Sequence, residues 1–332
     1  MNGSNGVNGH NLDDITALPP DAPKGELKDI SPENLTQHVI KISSNVSNER
    51  IKFLFSRLIQ HAHDFIREVE LQRDEWEAAW QFLTDVGQAC TPERQEMILL
   101  SDILGISALV DSINSRQMPG STESSVLGPF HNFAHEFELG DSISSSGAGE
   151  TMLIRGTVKD IRGNPIHRAL LDIWETNGNG KYDMQDPDIQ GPDCRGKFWT
   201  NENGEFYINA VRPVDYPVPY DGPVGRIFRL LNRQPVRPAH VHFLILHPDF
   251  EPLNTALYDK TSPRLTLDPV FGTKTSLCKE IVWSEDMELA KKYNTKPFKR
   301  VVDGQDKEGF WMLEHDFVLA DNQGERVRKT SL

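Results

Sequence analysis

The chain has 332 residues and a formal net charge of −14, from 49 acidic against 35 basic side chains. An acidic balance of that size works against nucleic-acid binding, which draws on a basic stripe, and against docking on anionic membranes. Hydrophobic and charged fractions of 37% and 25% are those of an ordinary globular protein, long enough for one large domain or two smaller ones.

Met1 to Gly25 is rich in Gly, Asn and Pro with no apolar core. It does not read as a signal peptide, and residues 1–30 are expected to be disordered. Ser31-Pro32-Glu33 announces a helix, with a hydroxyl for the N-cap, Pro in the first turn and an acid for the dipole. From Glu49, the spacing of Ile51, Phe53, Leu54, Phe55, Leu58, Ile59, Phe65, Ile66 and Val69 predicts a long amphipathic helix. Trp76, Trp80, Phe82 and Leu83 predict another. Thr91-Pro92-Glu93 repeats the start signal. The helix after it carries Met97, Leu99, Leu100, Ile103, Leu104, Ile106, Leu109, Val110 and Ile113, is apolar nearly all round, and is expected to be buried.

The character changes after a polar loop at 115–125, and residues 143–149 read as a flexible joint. Short apolar runs then alternate with turn signals. Met152 to Val158 and Ala169 to Trp174 read as strands, separated by the turn Asp160 to Pro165. Lys197 to Thr200 and Glu205 to Ala210 flank Asn203-Gly204, a strong hairpin signal. Ala239 to Leu246 is another strand, and Trp311, Leu313, Phe317 and Leu319 alternate near the end. The fold class is therefore α+β: an all-helical amino-terminal unit over 31–114, then an antiparallel β-sandwich over 115–332.

No apolar run approaches the ~20 residues of a membrane-spanning helix. Cys90, Cys194 and Cys278 share no CxxC spacing and are odd in number, which reads as reduced thiols in a cytoplasmic protein.

The sharpest chemical signal is Arg237-Pro238-Ala239-His240-Val241-His242-Phe243. Side chains alternate along a strand, so His240 and His242 face the same way and can share one metal ion. Such a pair also occurs on metal-free strands, but these two interrupt an otherwise apolar run. The other familiar metal sites lack their partners: there is no zinc-type cysteine spacing, no HExxH, and no carboxylate two residues after His131, His167, His240 or His242. Tyrosine becomes the candidate. Of six tyrosines, Tyr182 follows Asn177-Gly178-Asn179-Gly180-Lys181 and Tyr216 lies in Arg212-Pro213-Val214-Asp215-Tyr216-Pro217. Both are loop positions, where functional groups concentrate. A bound trivalent cation would lower the pKa of a phenol, and phenolate is a hard oxygen ligand suited to iron(III). Tyr207, Tyr258 and Tyr293 read as core or surface residues.

Over roughly residues 32–320 the chain resembles the intradiol catechol dioxygenases. The resemblance is carried by Ser125-Val126-Leu127-Gly128-Pro129-Phe130, Tyr182, Arg195-Gly196, Tyr216-Pro217-Val218-Pro219, Asp221-Gly222-Pro223 and the segment Arg237 to Phe243. It implies non-haem iron(III) as cofactor, with Tyr182 and His240 as equatorial and Tyr216 and His242 as axial ligands. It also implies that Tyr216 doubles as a base, that Arg237 stabilises negative charge developing on the substrate ring, and that the helical unit forms a homodimer. The reaction implied is cleavage of an aromatic 1,2-diol by dioxygen between its two hydroxylated carbons.

The family's substrate pocket maps onto Leu99, Asp102, Val126, Leu127, Gly128, Pro129, Phe130, Val218, Pro219 and Arg237. Leu99 and Asp102 lie one helical turn apart and can face one cavity. A carboxylate in an apolar pocket needs a partner. The third hydroxyl of hydroxyquinol (1,2,4-trihydroxybenzene) would supply one. Asp102 and Asp268-Pro269-Val270-Phe271-Gly272 resemble the hydroxyquinol 1,2-dioxygenase branch, whose product is 3-hydroxy-cis,cis-muconate, the enol of maleylacetate. Ala256 stands where many catechol-cleaving members carry glutamine. Catechol, giving cis,cis-muconate, stays open as substrate. So does a binding module, because Gly156 to Ile166 also resembles transthyretin-like sandwiches.

Overall fold

The computed structural model of the protein describes residues 29–91, 94–115, 118–145 and 147–322. The expected disorder over 1–30 falls almost wholly outside them, as do Pro92 and Glu93 of the second helix-start signal. The chain divides into two compact units, one up to Gln81 and one from Phe82 onward. The units thus part inside a helix, whereas the change of sequence character near residue 115 marks where helices give way to strands.

The first unit holds α1 (Leu35–Ile42), α2 (Glu49–Glu68) and the start of α3 (Arg73–Gln88). Ser31 opens the turn before α1 through its carbonyl, which accepts from Leu35 N at 3.0 Å. The N-cap is Asn34 rather than Ser31. Asn48 caps α2 by accepting from Ile51 N at 3.1 Å, the usual answer to an unpaired first-turn N–H. The apolar stripe predicted for α2 is present, but none of its residues is buried.

The second unit opens with α4 (Glu96–Ile103) and α5 (Ile106–Asn114). One continuous buried helix was expected here, and both parts of that expectation are corrected. Gly105, at φ +72°, breaks the run in a left-handed conformation that an L side chain adopts only at a cost. Leu99, Leu100 and Ile103 are buried, whereas Leu104, Ile106, Leu109, Val110 and Ile113 are each more than half exposed in the single chain.

The strands form two main sheets and a ribbon. One sheet has the order β10-β12-β1-β13, with β4 on the free side of β1 and β11 on β12. Its members are β1 (Thr151–Asp160), β4 (Glu205–Val211), β10 (Ile281–Ser284), β11 (Phe298–Val302), β12 (Gln305–Glu314) and β13 (Phe317–Leu319). The other runs β3-β2-β7-β8-β9, from β3 (Arg195–Trp199), β2 (Leu170–Trp174), β7 (His240–Leu246), β8 (Leu253–Asp259) and β9 (Cys278–Lys279). Residues β5 (Tyr216–Pro217) and β6 (Val236–Arg237) pair as a short ribbon. Two further helices are α6 (Pro223–Leu230) and α7 (Met287–Lys292).

The two sheets pack face to face on one core. Ile154, Val158, Ile208 and Leu313 come from the first sheet; Leu171, Ile173, Val241, Phe243 and Ile245 come from the second. Each such side chain contributes about 1.5–3 kcal/mol when fully buried. Most ladders are antiparallel, as expected for the sandwich, but β1 runs parallel to β12 and β13, and β8 to β9.

Two local expectations are also corrected. Asn203-Gly204 does not close a hairpin, because β3 pairs with β2 and β4 with β1. The turn instead carries the chain from one sheet to the other, and Gly204 gives its carbonyl to Val158 N at 2.8 Å. The segment 143–149 is not a flexible joint where it is described. Ile143 is buried in the core, and Gly178 N donates to Ala148 O at 2.8 Å.

Candidate active site and metal centre

The alternation of β7 places the site. Val241, Phe243 and Ile245 point into the sandwich core, so His240 and His242 point to the outer face of the five-stranded sheet. On β2, Leu171 and Ile173 likewise face the core, which leaves Trp174 beside the histidines. Its ring lies parallel to that of His242, 6° between planes with centroids 4.8 Å apart. Phe130, Trp174, Tyr182 and Tyr216 form a buried cluster over this face.

The two tyrosines arrive on separate segments. Tyr216 sits in the ribbon directly opposite Arg237. Tyr182 follows a loop organised by Asn177, whose Oδ1 accepts from Asn179 N at 3.0 Å and Lys181 N at 3.2 Å. Gly180, at φ +76°, lets that loop close on Tyr216: a Cβ there would stand 3.0 Å from the Tyr216 Cβ. Asp183, next in the chain, accepts from Arg195 Nε at 2.6 Å. Arg195 also donates to the Phe130 carbonyl at 2.9 Å, and the Phe130 ring stacks on Tyr182 at 4.4 Å.

All four sequence-chosen donors converge. Tyr182 Oη is 3.1 Å from Tyr216 Oη, Tyr216 Oη is 3.5 Å from His240 Nε2, and His240 Nε2 is 3.0 Å from His242 Nε2. Each of the four residues is at most 2% exposed. His240 Nδ1 lies 2.7 Å from the Pro238 carbonyl. A carbonyl only accepts, so Nδ1 carries the proton and Nε2 presents its lone pair to the cluster.

Burial holds both imidazoles neutral, well below the usual histidine pKa, with Arg237 adding to the effect at each and His240 adding to it at His242. Burial also pushes the Tyr182 phenol well above its ordinary value, and raises Tyr216 despite the opposing pull of Arg237. Protein groups alone therefore leave a knot of neutral donors competing for lone pairs. A cation removes that conflict. Ligands of one ion at bonds of about 2.1 Å stand roughly 3.0 Å apart at right angles and roughly 3.4 Å apart at tetrahedral ones, which matches the spacings here. Among the described residues no group of three or more His, Cys, Asp and Glu side chains is poised for a metal, so the phenols are integral to any such site. The donor set, two hard oxygens and two imidazoles, fits iron(III).

Arg237 completes the knot. Its Nη1 lies 3.0 Å from His240 Nε2 and 3.4 Å from Tyr216 Oη. Burial works against its charge, but the Asp268 carboxylate together with Tyr216 and Tyr258 more than offsets this and keeps it protonated. A cleft of about 580 Å³ opens beside the knot and takes Leu99, Pro129, Phe130, Val218 and Pro219 from the expected pocket. Asp102, Val126 and Arg237 are buried rather than part of that lining. Leu127 is 40% exposed, and a Cβ on Gly128 would come 3.9 Å from the His242 ring. Burial raises the Asp102 carboxyl, against a hydrogen bond from Ser107 and the attraction of Arg237. The sequence reading missed Arg94, Glu96, Met184, Gln185 and Asp221 on the cleft wall. It also missed Trp174 and Tyr258 around the knot, and it marked Asp268 as part of a branch resemblance without its contact to Arg237. For Trp174 and Tyr258 the available signal was strand register: Trp174 pairs with His242 and Tyr258 with His240.

The fold and site thus define a β-sandwich whose outer sheet face carries two tyrosines and two histidines in a buried cluster beside a cleft. The chain belongs to the intradiol ring-cleavage dioxygenase family and is an enzyme of that class. Residues 48–122 match the catechol dioxygenase N terminus and residues 131–320 the dioxygenase domain itself. It is 45% identical over 298 residues to an intradiol ring-cleavage dioxygenase of Aspergillus niger, covering 90% of this chain and 87% of that one. It is 40% identical over 291 residues to a hydroxyquinol 1,2-dioxygenase of Rhizobium sp., covering 87% and 95%. The crystal structure of hydroxyquinol 1,2-dioxygenase from Pseudomonas putida superposes with a TM-score of 0.77 at 36% identity, over 88% of this chain and 99% of that one. The family uses non-haem iron. No helix among the described residues is long and apolar enough to cross a membrane.

Proposed function

We propose that the chain is a hydroxyquinol 1,2-dioxygenase, opening 1,2,4-trihydroxybenzene to 3-hydroxy-cis,cis-muconate, with iron(III) held by Tyr182, Tyr216, His240 and His242. The observation that carries this reading is the convergence of two phenols and two imidazoles, neighbour to neighbour at 3.0–3.5 Å, in a buried knot. Bound iron would hold the vicinal oxygens of the substrate and make its ring electron-rich toward dioxygen. The protein supplies the rest. Tyr216 is placed to take up a substrate hydroxyl proton, with Arg237 Nη1 at 3.4 Å to steady its oxygen. The Arg237 guanidinium, fixed and dry, offsets negative charge that develops on the ring. Phe130, Val218 and Leu99 give the cleft its apolar wall.

We infer that substrate choice rests on Asp102, which is 3% exposed and lies behind the cleft wall, one helical turn from the lining residue Leu99. A site built to pair with a hydroxyl rejects the analogue that lacks it. Relatives named for hydroxyquinol support the same choice. The exposed apolar faces of α2 and of α5 support assembly as a homodimer. The free Cys90, Cys194 and Cys278 support a reducing, cytoplasmic setting.

Oxygen uptake measured with hydroxyquinol and with catechol at equal concentration tests the reading. Hydroxyquinol should be favoured, and Asp102→Asn should lower kcat/KM for hydroxyquinol at least ~10-fold while changing catechol turnover less. A parent enzyme that prefers catechol would make it a catechol 1,2-dioxygenase. No uptake with either would overturn the enzyme assignment.

A further inference from the structure

We propose that Tyr258 is a positioning residue: its hydroxyl fixes one edge of the Arg237 guanidinium, so that the other edge faces the reacting centre. The proposal rests on the reading of Arg237 as the residue that stabilises charge in ring cleavage.

The hydrogen bonds around Arg237 can be counted to completion. Nε donates to Asp268 Oδ1 at 3.1 Å. Nη2 donates to Asp268 Oδ2 at 3.3 Å and to Tyr258 Oη at 3.2 Å. Nη1 faces His240 Nε2 at 3.0 Å and Tyr216 Oη at 3.4 Å. A guanidinium has five N–H groups, and each here has one acceptor. The Tyr258 oxygen must therefore accept from arginine, and its own proton must go elsewhere. The available acceptor is Ser125 Oγ at 3.1 Å. Ser125 in turn donates to the Gly272 carbonyl at 2.8 Å, and a carbonyl cannot donate back. The chain has one polarity, from Arg237 to Tyr258 to Ser125 to Gly272, with no proton in dispute.

The two edges of the guanidinium then have different fates. The lone pairs that Nη1 meets, on His240 Nε2 and Tyr216 Oη, are those a bound ion would take. Nη1 is thereby released toward substrate. The Nε and Nη2 contacts involve no candidate ligand and persist throughout. Asp268 carries the opposite charge and keeps the guanidinium in the site through two contacts, at Nε and Nη2. Tyr258 is the third contact on that edge, and three contacts set the tilt of a planar group where two along one line leave a hinge.

The local fold keeps Tyr258 there. It is the cross-strand partner of His240, its ring lies 5.1 Å from that imidazole, and the residue is 1% exposed. Gly272 leaves room for the hydroxyl, since a Cβ there would come within 2.6 Å of it.

The test is Tyr258→Phe, which removes one oxygen and keeps the ring in its slot. With iron-loaded enzyme, kcat should fall about 10-fold, the loss of one hydrogen bond to a charged group. KM should stay within about twofold, and iron content and the visible tyrosinate-to-iron absorption should be unchanged. In enzyme loaded with diamagnetic gallium(III), the Arg237 Nη protons should give separate, slowly exchanging NMR signals in the parent and averaged ones in Tyr258→Phe. That second readout does not depend on turnover. If the parent fails to cleave the diol but the Arg237 signals still collapse in the variant, the positioning role stands and the assigned reaction falls. Unaltered Arg237 signals, or an active parent whose kcat survives the substitution, would overturn the proposal. Ser125→Ala, which leaves the tyrosine in place but takes away the acceptor for its proton, should give the same changes at smaller amplitude and covers the case in which Tyr258→Phe does not fold.

Discussion

Arg195 and Asp183 are each nearly inaccessible to solvent and pair directly, at side-chain exposures of 2% and 8%. Neither touches the proposed metal position, yet Asp183 follows Tyr182 in the chain and Arg195 ties down the carbonyl of Phe130, whose ring stacks on Tyr182. Removing one partner of a buried ion pair leaves the other charge uncompensated, at about 3–5 kcal/mol. Asp183→Ala should therefore lower the urea midpoint substantially and weaken iron retention together. A variant with the parent's midpoint would show that water reaches Arg195 freely. At this scale the sequence was readable where chemistry marked a residue. Two imidazoles in an apolar strand and two loop phenols stand out because their types are costly or unusual there. Tyr258 and Trp174 did not, because each is an ordinary residue until register brings it against His240 or His242. Asp268 was marked only through its segment, because loop closure alone brings its carboxylate against Arg237.

Elements were legible by period and misjudged at their ends and their environment. The stripe of α2 and the alternation of β7 are local properties, and both held. The break at Gly105 was missed because the apolar pattern continues across it, while only a backbone angle interrupts the helix. The Asn203-Gly204 turn was legible as a turn, but which strands it joins depends on long-range pairing that no local pattern encodes. The exposed side of α5 carries the same lesson into assembly. Leu109 is 61% exposed and Ile113 56%, a surface that a second copy would cover at about 25 cal/mol per Å² of apolar area. Leu109→Glu should leave the fold of the single chain intact and shift the mass seen by light scattering from that of the proposed dimer toward that of a monomer. An unchanged dimer would remove this face of α5 from the interface.

For the whole molecule, acid is the condition that should expose its weak points, and two groups outside the tyrosine–histidine cluster show how. Burial, with Lys279 and Lys159 nearby and only Asp316 opposing, lowers the His315 pKa from 6.5 to about 4. Its Nε2 has no hydrogen-bond partner among the described residues. Folded pKa below unfolded pKa means that the unfolded chain binds the extra proton first as pH falls. His315 therefore costs nothing above pH 6.5 and withdraws stability progressively between about 6.5 and 4, on the order of 3 kcal/mol in all. Asp160 acts in the next window. Burial works to raise its carboxyl, but bonds from Asn164 and Arg162 prevail and hold it at about 2 rather than 3.8. Its contribution is complete above about pH 4 and is lost as the pH falls toward 2. Thermal melts of the parent should thus decline in two stages, the first between pH 6.5 and 4. His315→Leu keeps an apolar contact with Phe317 and removes the titrating ring, so its melting temperature should fall less steeply over that first stage, with the second stage unchanged. Parallel curves for parent and variant from pH 6.5 to 4 would show that His315 carries no part of the acid response.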